Sequence, residues 1–187
     1  MAQVIPSAAM VVICVASLLR GRAVSRATGD RPWAFISARG KQRVAGIVFA
    51  IGIGVLAVAA LVAAFSAATR FAEYGALLAI LGSMLVIVAQ VQMGRAWRVG
   101  VRSGDAPLFV RHGLFRFSRN PIFFGMILIG LGAAMSAALW WAWVALALFA
   151  AACDQQVRVE EDHLRDSFGG AYDDFCMTVP RWIGVPL

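Results

Sequence analysis

The sequence predicts an all-α integral membrane protein of about five transmembrane helices, the last two forming a short hairpin that leads into a polar C-terminal helix. Three observations carry this expectation. Hydrophobic residues make up 61% of the 187 and charged residues only 14%, a balance foreign to an ordinary soluble domain. Four tracts, residues 1–19, 44–69, 74–94 and 121–153, carry no charge at all, and about 20 apolar residues suffice for a helix to cross the hydrocarbon core. The basic residues are segregated, since 16 of the 17 fall in connections that lie on one side of such a helix arrangement, Arg70 being the exception.

The first tract predicts a helix over about residues 4–19. Its positive charges follow the apolar run instead of preceding it, the pattern of an uncleaved anchor with the N-terminus outside. The connection 20–43 holds seven basic residues and the breakers Gly21, Gly29, Pro32 and Gly40. The second helix, 44–68, contains Gly46, Gly52 and Gly54, and small residues let membrane helices approach closely. A turn of five residues, 69–73, makes helices 2 and 3 an antiparallel pair. Helix 3 ends with Gln90 and Gln92, which either mark the interface or line a polar cavity reaching into the bilayer; Trp97 just beyond reads as an interface anchor. The tract 121–153 is too long for one span and short for two. With Trp140, Trp141 and Trp143 near its middle, it reads as a hairpin of helices 121–139 and 141–153, the second continuing into the polar sequence beyond Cys153.

Beyond the hairpin the chain turns acidic: Asp154, Glu160, Glu161, Asp162, Asp166, Asp173 and Asp174. Val157, Leu164 and Phe168 recur at roughly helical spacing, so 154–168 is expected as an amphipathic helix stopped by Gly169 and Gly170. Gln156 and Glu160, four apart, share one face of it. Tyr172, Phe175, Val179 and Trp182 suit a last segment folded back onto the membrane face. The charge asymmetry makes that face cytoplasmic and explains the net charge of +7 without nucleic acid. The expectation is therefore a multi-pass protein of the plasma membrane, N-terminus outside and C-terminus inside, forming one domain over 1–187 with scaffold helices in 1–91 and the chemistry in 92–187.

The chemistry centres on residues 108–125, where Arg111, His112, Arg116 and Arg119 precede an apolar helix opening at Pro121. Pro suits the first helical turn, where its missing N–H has no partner to lose. No GxSxG, HExxH, P-loop or GxGxxG motif is present, and Cys14, Cys153 and Cys176 form no CxxC pair, so neither a metal nor a disulfide framework is expected. Salt bridges holding the tail down account for Asp162, Asp166, Asp173 and Asp174. Glu160 and Glu161, opposite the turn from Phe115 to Asn120, can instead hold a ribose hydroxyl or an ammonium group. The loop aromatics can flank an adenine ring, and backbone N–H groups near Gly113 and at the start of the Pro121 helix can receive a carboxylate.

The order of these features resembles the isoprenylcysteine carboxyl methyltransferase family and its phospholipid N-methyltransferase relatives. That family carries L-V-x-x-G-x-Y-x-x-x-R-H-P-x-Y-x-G, then E-E-x-x-L, G-x-x-Y and V-P-R. Here these stand as Leu108, Phe109, Val110, Gly113, Phe115 and Arg119 through Gly125, then Glu160, Glu161 and Leu164, then Gly169, Gly170 and Tyr172, and Val179, Pro180 and Arg181. The likeness spans about 92–181. It implies S-adenosylmethionine bound from the cytosol, with contacts at Pro107, Leu108, Phe109, Val110, Phe115, Asn120, Pro121, Ile122, Phe123, Glu160 and Glu161, and a C-terminal helix covering the cofactor. It implies a lipophilic acceptor entering from the bilayer and membrane lipid as the surroundings, with Glu160, Glu161 and Gln156 as the residues at the reacting centre. Three departures stand out. Asn120 replaces the motif's His, Phe115 and Phe123 replace its two Tyr, and Gln156 replaces an Arg that meets the substrate carboxylate in the prenylcysteine enzymes. The first two keep hydrogen bonding or an aromatic face. The last argues against a carboxylate acceptor. The sequence leaves two other readings open: an NADPH-dependent membrane reductase of related architecture, and a non-catalytic protein retaining the fold.

Overall fold

The computed structural model describes residues 1–29, 40–97 and 110–185, and every regular element among them is helical. Six α-helices follow in order: α1 (Ile5–Thr28), α2 (Gly40–Ala64), α3 (Ala72–Met93), α4 (Pro121–Ala137), α5 (Trp140–Phe168) and α6 (Gly170–Thr178). Short 3-10 turns precede α1 and follow α3, and a third, Gly113–Arg116, lies in the loop before α4.

Three helices are long and apolar enough to cross a membrane: Ala2–Ala27, Arg43–Ala64 and Ala72–Met93. The fourth, α4, has 17 residues and spans only about 26 Å at 1.5 Å per residue, less than the ~30 Å hydrocarbon core. The apolar part of α5 is shorter still. The expected short hairpin is therefore present as two helices of less than full span length, beside three full-length candidate spans among the described residues.

The two long helix ends have physical reasons, and the first departs from expectation. The first helix runs nine residues past Leu19, because nothing between there and Thr28 breaks it except Gly21, which is buried. It stops at Gly29, whose φ of 75° lets its N–H bond back to the Ser25 carbonyl, the left-handed stop glycine favours. The second hairpin helix continues past the membrane edge, as the sequence leads one to expect. From Trp140 to Phe168 there is neither Gly nor Pro, so α5 continues unbroken into the polar sequence and halts at Gly169, φ 52°.

The tightest pairing is α3 against α4, made by glycines facing glycines. A Cβ on Gly125 would lie 2.7 Å from the Gly82 carbonyl oxygen, and one on Gly132 would strike the Gly75 carbonyl. Such backbone approach is how membrane helices gain packing energy without a hydrophobic drive between them. α1 lies across this pair through Ala9 and Ile13, which meet Ala79, Val86 and Ile129. α2 closes the other side: Leu56 packs with Ala145, Phe149 and Cys153 of α5. On the far end, α6 buries Tyr172, Phe175 and Val179 beside Leu164 and Phe168. The bundle thus presents the loop before α4, the polar half of α5 and the C-terminal tail at one end.

Candidate functional site

The loop is shaped from below by α3. Gln92 Oε1 accepts the Leu114 backbone N–H at 2.8 Å, and Gly113, at φ 62°, has no room for a side chain because a Cβ would collide with the Gln92 carboxamide. A glycine is needed there on both counts. Gln90 is buried and donates to Ser17 Oγ of α1 at 2.9 Å, and Arg20 Nη2 donates to the Gly94 carbonyl at 2.6 Å. The two glutamines of helix 3 therefore brace α1 and the loop. Trp97, expected in the headgroup layer, is 2% exposed and belongs to the interior.

From above, the tail is stitched to the loop. Arg119 N donates to the Pro180 carbonyl and Gly184 N to the Phe117 carbonyl, each at 3.0 Å. The Asn120 N–H donates to Ser118 Oγ at 3.0 Å. The Asn120 amide donates both to the Arg181 carbonyl and to Glu161 Oε1, each at 3.2 Å. Arg181 grips Glu161 with two donors, Nη2 at 2.8 Å from Oε2 and Nε within 3.2 Å of both oxygens. Arg119 Nε lies 3.2 Å from Oε1 on the other side. This is the forked geometry that suits guanidinium to carboxylate. The bond to Glu161 raises the Arg181 pKa above its ordinary value. Tyr172, fully buried beside this group, has its hydroxyl pKa raised by burial and then by the Glu161 charge.

Glu160 sits one residue back on α5, about 100° around the helix, and looks elsewhere. It is half-buried, and its Oε1 accepts from Gln156 Nε2 at 3.2 Å. Burial pushes its carboxyl pKa from 4.5 up to about 7, and the Gln156 hydrogen bond only partly offsets this. A carboxylate with one neutral partner is poorly compensated. Arg158 offers no help: its Nε is bound to Asp154 at 2.7 Å. Below Glu160 on the same face lies Cys153, in an apolar cluster with Phe49, Ile53, Phe123, Met126 and Trp182.

The expected site residues are thus distributed unevenly. Pro107, Leu108 and Phe109 lie outside the described residues. Val110 is half-buried, and Phe115 and Pro121 are buried. Ile122 packs toward α1 and α3, and Phe123 sets its ring edge-on to Phe49 at 6.1 Å, so these two side chains serve packing on opposite sides of α4. His112 is exposed. Of the tail acids, Glu161 meets loop Arg119, while Asp162 and Asp173 both pair with Arg165, tying α6 to α5. Sequence reasoning missed Ser118 and the bracing by Gln92. It also missed the place of Trp182 against α2, α4 and α5. The Q-x-Q spacing before Gly94 was the one available signal for the brace.

The fold and this junction define a helical membrane protein whose loop, polar helix and tail converge at one end of the bundle. Comparison with protein families places it further: residues 70–171, more than half of the chain, match the phospholipid methyltransferase family. The chain belongs to that family of membrane methyltransferases, within the group that also holds the isoprenylcysteine enzymes. The match takes in α3, the loop, α4, α5 and the first residues of α6, and ends before the tail. No curated protein matches the chain significantly.

Proposed function

We propose that the protein transfers a methyl group from S-adenosyl-L-methionine to a lipophilic small molecule at the cytoplasmic face of the plasma membrane, with the C-terminus inside. In this reading residues 92–187 form the catalytic part and 1–91 the scaffold. The observation that carries it is Glu160: a half-buried carboxylate whose bonded partner is the neutral amide of Gln156, on a helix packed against the family's loop.

The donor set fits the cofactor. Glu160 accepts from ribose hydroxyls or offsets an ammonium group, relieving the unfavourable burial that raises its pKa. The loop contributes backbone more than side chains, since Phe115, Ile122 and Phe123 are committed to packing and Asn120 to the tail. When bound, the cofactor supplies a methyl group on sulfur activated for in-line displacement. The chain's own work is to orient the two partners and exclude water, which requires no obligatory base. Gln156 presents a neutral donor and acceptor to the incoming molecule. Gln156 stands where the prenylcysteine enzymes carry the arginine that meets a carboxylate, and Arg158 is held by Asp154. A neutral or zwitterionic lipid, an amine or a thiol therefore suits the site better than an acid. The test is transfer of a labelled methyl group from S-adenosylmethionine into the organic-soluble fraction of a lipid extract by purified protein. Incorporation lost in Glu160→Ala supports the reading; incorporation unaffected by that change removes Glu160 from the site.

A further inference from the structure

Resting on the donor site just proposed, we infer that Glu161 is a positioning residue: it latches the C-terminal tail to the loop and so sets Trp182 as a wall of the site, without touching the cofactor itself. Its carboxylate is 2% exposed, and both oxygens are occupied. Oε1 faces Asn120 Nδ2, Arg119 Nε and Arg181 Nε; Oε2 receives Arg181 Nη2 and Nε. A carboxylate has about four lone-pair sites in all, so little capacity is left for a ligand. The resemblance to known enzymes suggested both glutamates as contacts. The helix geometry divides them: Glu161 is bound to the loop and tail, while Glu160, about 100° around α5, meets Gln156.

The latch joins three segments distant in sequence. Loop and tail already share two backbone bonds, at Arg119 to Pro180 and Gly184 to Phe117. The three residues they enclose on the tail side include Arg181, which Glu161 holds, and Trp182, its neighbour. Trp182 packs in the cluster of Phe49, Phe123 and Cys153. Cys153 lies three residues before Gln156 and seven before Glu160, on the same face of α5. The ring is therefore held against the helix face that carries the donor carboxylate. Arg181 and Trp182 lie beyond the segment matched by the family, so the latch is closed by the part of the chain that match does not reach.

Removing Glu161 would leave Arg119 and Arg181, both half-buried, without this counter-ion and risks misfolding. Arg181→Gln is the better test, because the Arg119–Glu161 pair survives and Arg181 is itself 31% exposed. Two readouts are needed. One is calorimetric affinity for S-adenosylhomocysteine in detergent. The other is the rate at which N-ethylmaleimide modifies Cys153, read by peptide mass spectrometry, with Arg181→Lys as the conservative variant and circular dichroism as the control for folding. The latch is supported if Arg181→Gln keeps its helical content, labels Cys153 at least tenfold faster, binds S-adenosylhomocysteine at least tenfold more weakly, and is partly rescued in Arg181→Lys. Unchanged labelling overturns the latch whether or not the ligand binds. Faster labelling with unchanged affinity overturns the positioning role. A wild-type protein that binds no S-adenosylhomocysteine, with labelling still accelerated in the variant, sinks the donor reading and leaves a tail latch without that role.

Discussion

Replacing Glu160 by Gln should raise stability and lower donor affinity at once, and both effects should depend on pH. Burial moves this carboxyl from 4.5 to about 7. Because the folded value lies above the unfolded one, the folded state holds the proton more tightly, and stability falls as pH rises from about 4.5 through about 7. At 1.36 kcal/mol per unit the full penalty above pH 7 is up to about 3 kcal/mol. Glutamine never ionises and escapes it. Thermal unfolding in detergent should therefore give nearly equal midpoints for wild type and Glu160→Gln near pH 4.5. At pH 8 the variant should be higher by several degrees, given about 2–4 °C per kcal/mol for a chain of this size. Affinity should run the other way. Only the carboxylate form holds the ligand's donors, so wild-type binding of S-adenosylhomocysteine should strengthen about tenfold from pH 6 to pH 8, as the ionised fraction rises. The glutamine variant should show no such slope, which separates Glu160 from His112 and His163. Parallel midpoints for the two proteins across the whole pH range would refute the burial argument.

Other consequences are equally concrete. Gly125→Val places a branched side chain against the Gly82 carbonyl and Val86, and since backbone cannot yield, α3 and α4 must part. A loss of about 1–3 kcal/mol or more is expected, read as a lower thermal midpoint and loss of monodisperse protein. Gln92→Ala removes the acceptor for the Leu114 N–H, costing about 1–3 kcal/mol, and should weaken S-adenosylhomocysteine binding through a loosened loop; an unchanged affinity would show that the brace does not shape the site. Gln156→Arg should confer methyl transfer to carboxylate-bearing acceptors such as prenylcysteine, scored by labelled-methyl incorporation. No gain on such an acceptor would mean that this position does not meet it.

Much of the fold was legible because apolar length and charge segregation dictate membrane helices directly. The limits were boundaries set by absence. The buried Gly21 does not break the polar stretch after Leu19, so α1 runs on to Gly29 where hydropathy alone suggested a stop, while the run of α5 past Cys153 to Gly169 was legible. The half-length of α4 was visible as a tract too short for two spans. At the site, the motif order located the loop and the glutamate pair, and the i, i+4 spacing of Gln156 and Glu160 foretold their contact. Which glutamate faces inward was not legible, since adjacent helical positions differ only in the partner each meets. That partner, Arg181, is supplied by a tail whose path depends on backbone bonds to Phe117 and Arg119. The partner of Asp162 and Asp173 was hidden in the same way, being Arg165 of their own segment. The expected contacts at Pro107, Leu108 and Phe109 lie outside the described residues.

The most direct test of the donor site is calorimetric titration of the detergent-solubilised protein at pH 8 with S-adenosylhomocysteine, with NADPH as competitor. The account expects saturable binding that NADPH does not displace. In Glu160→Ala it expects affinity at least tenfold weaker, as a charged hydrogen bond worth roughly 1.5–3 kcal/mol requires. Binding of NADPH alone, or equal S-adenosylhomocysteine affinity in wild type and variant, would contradict it.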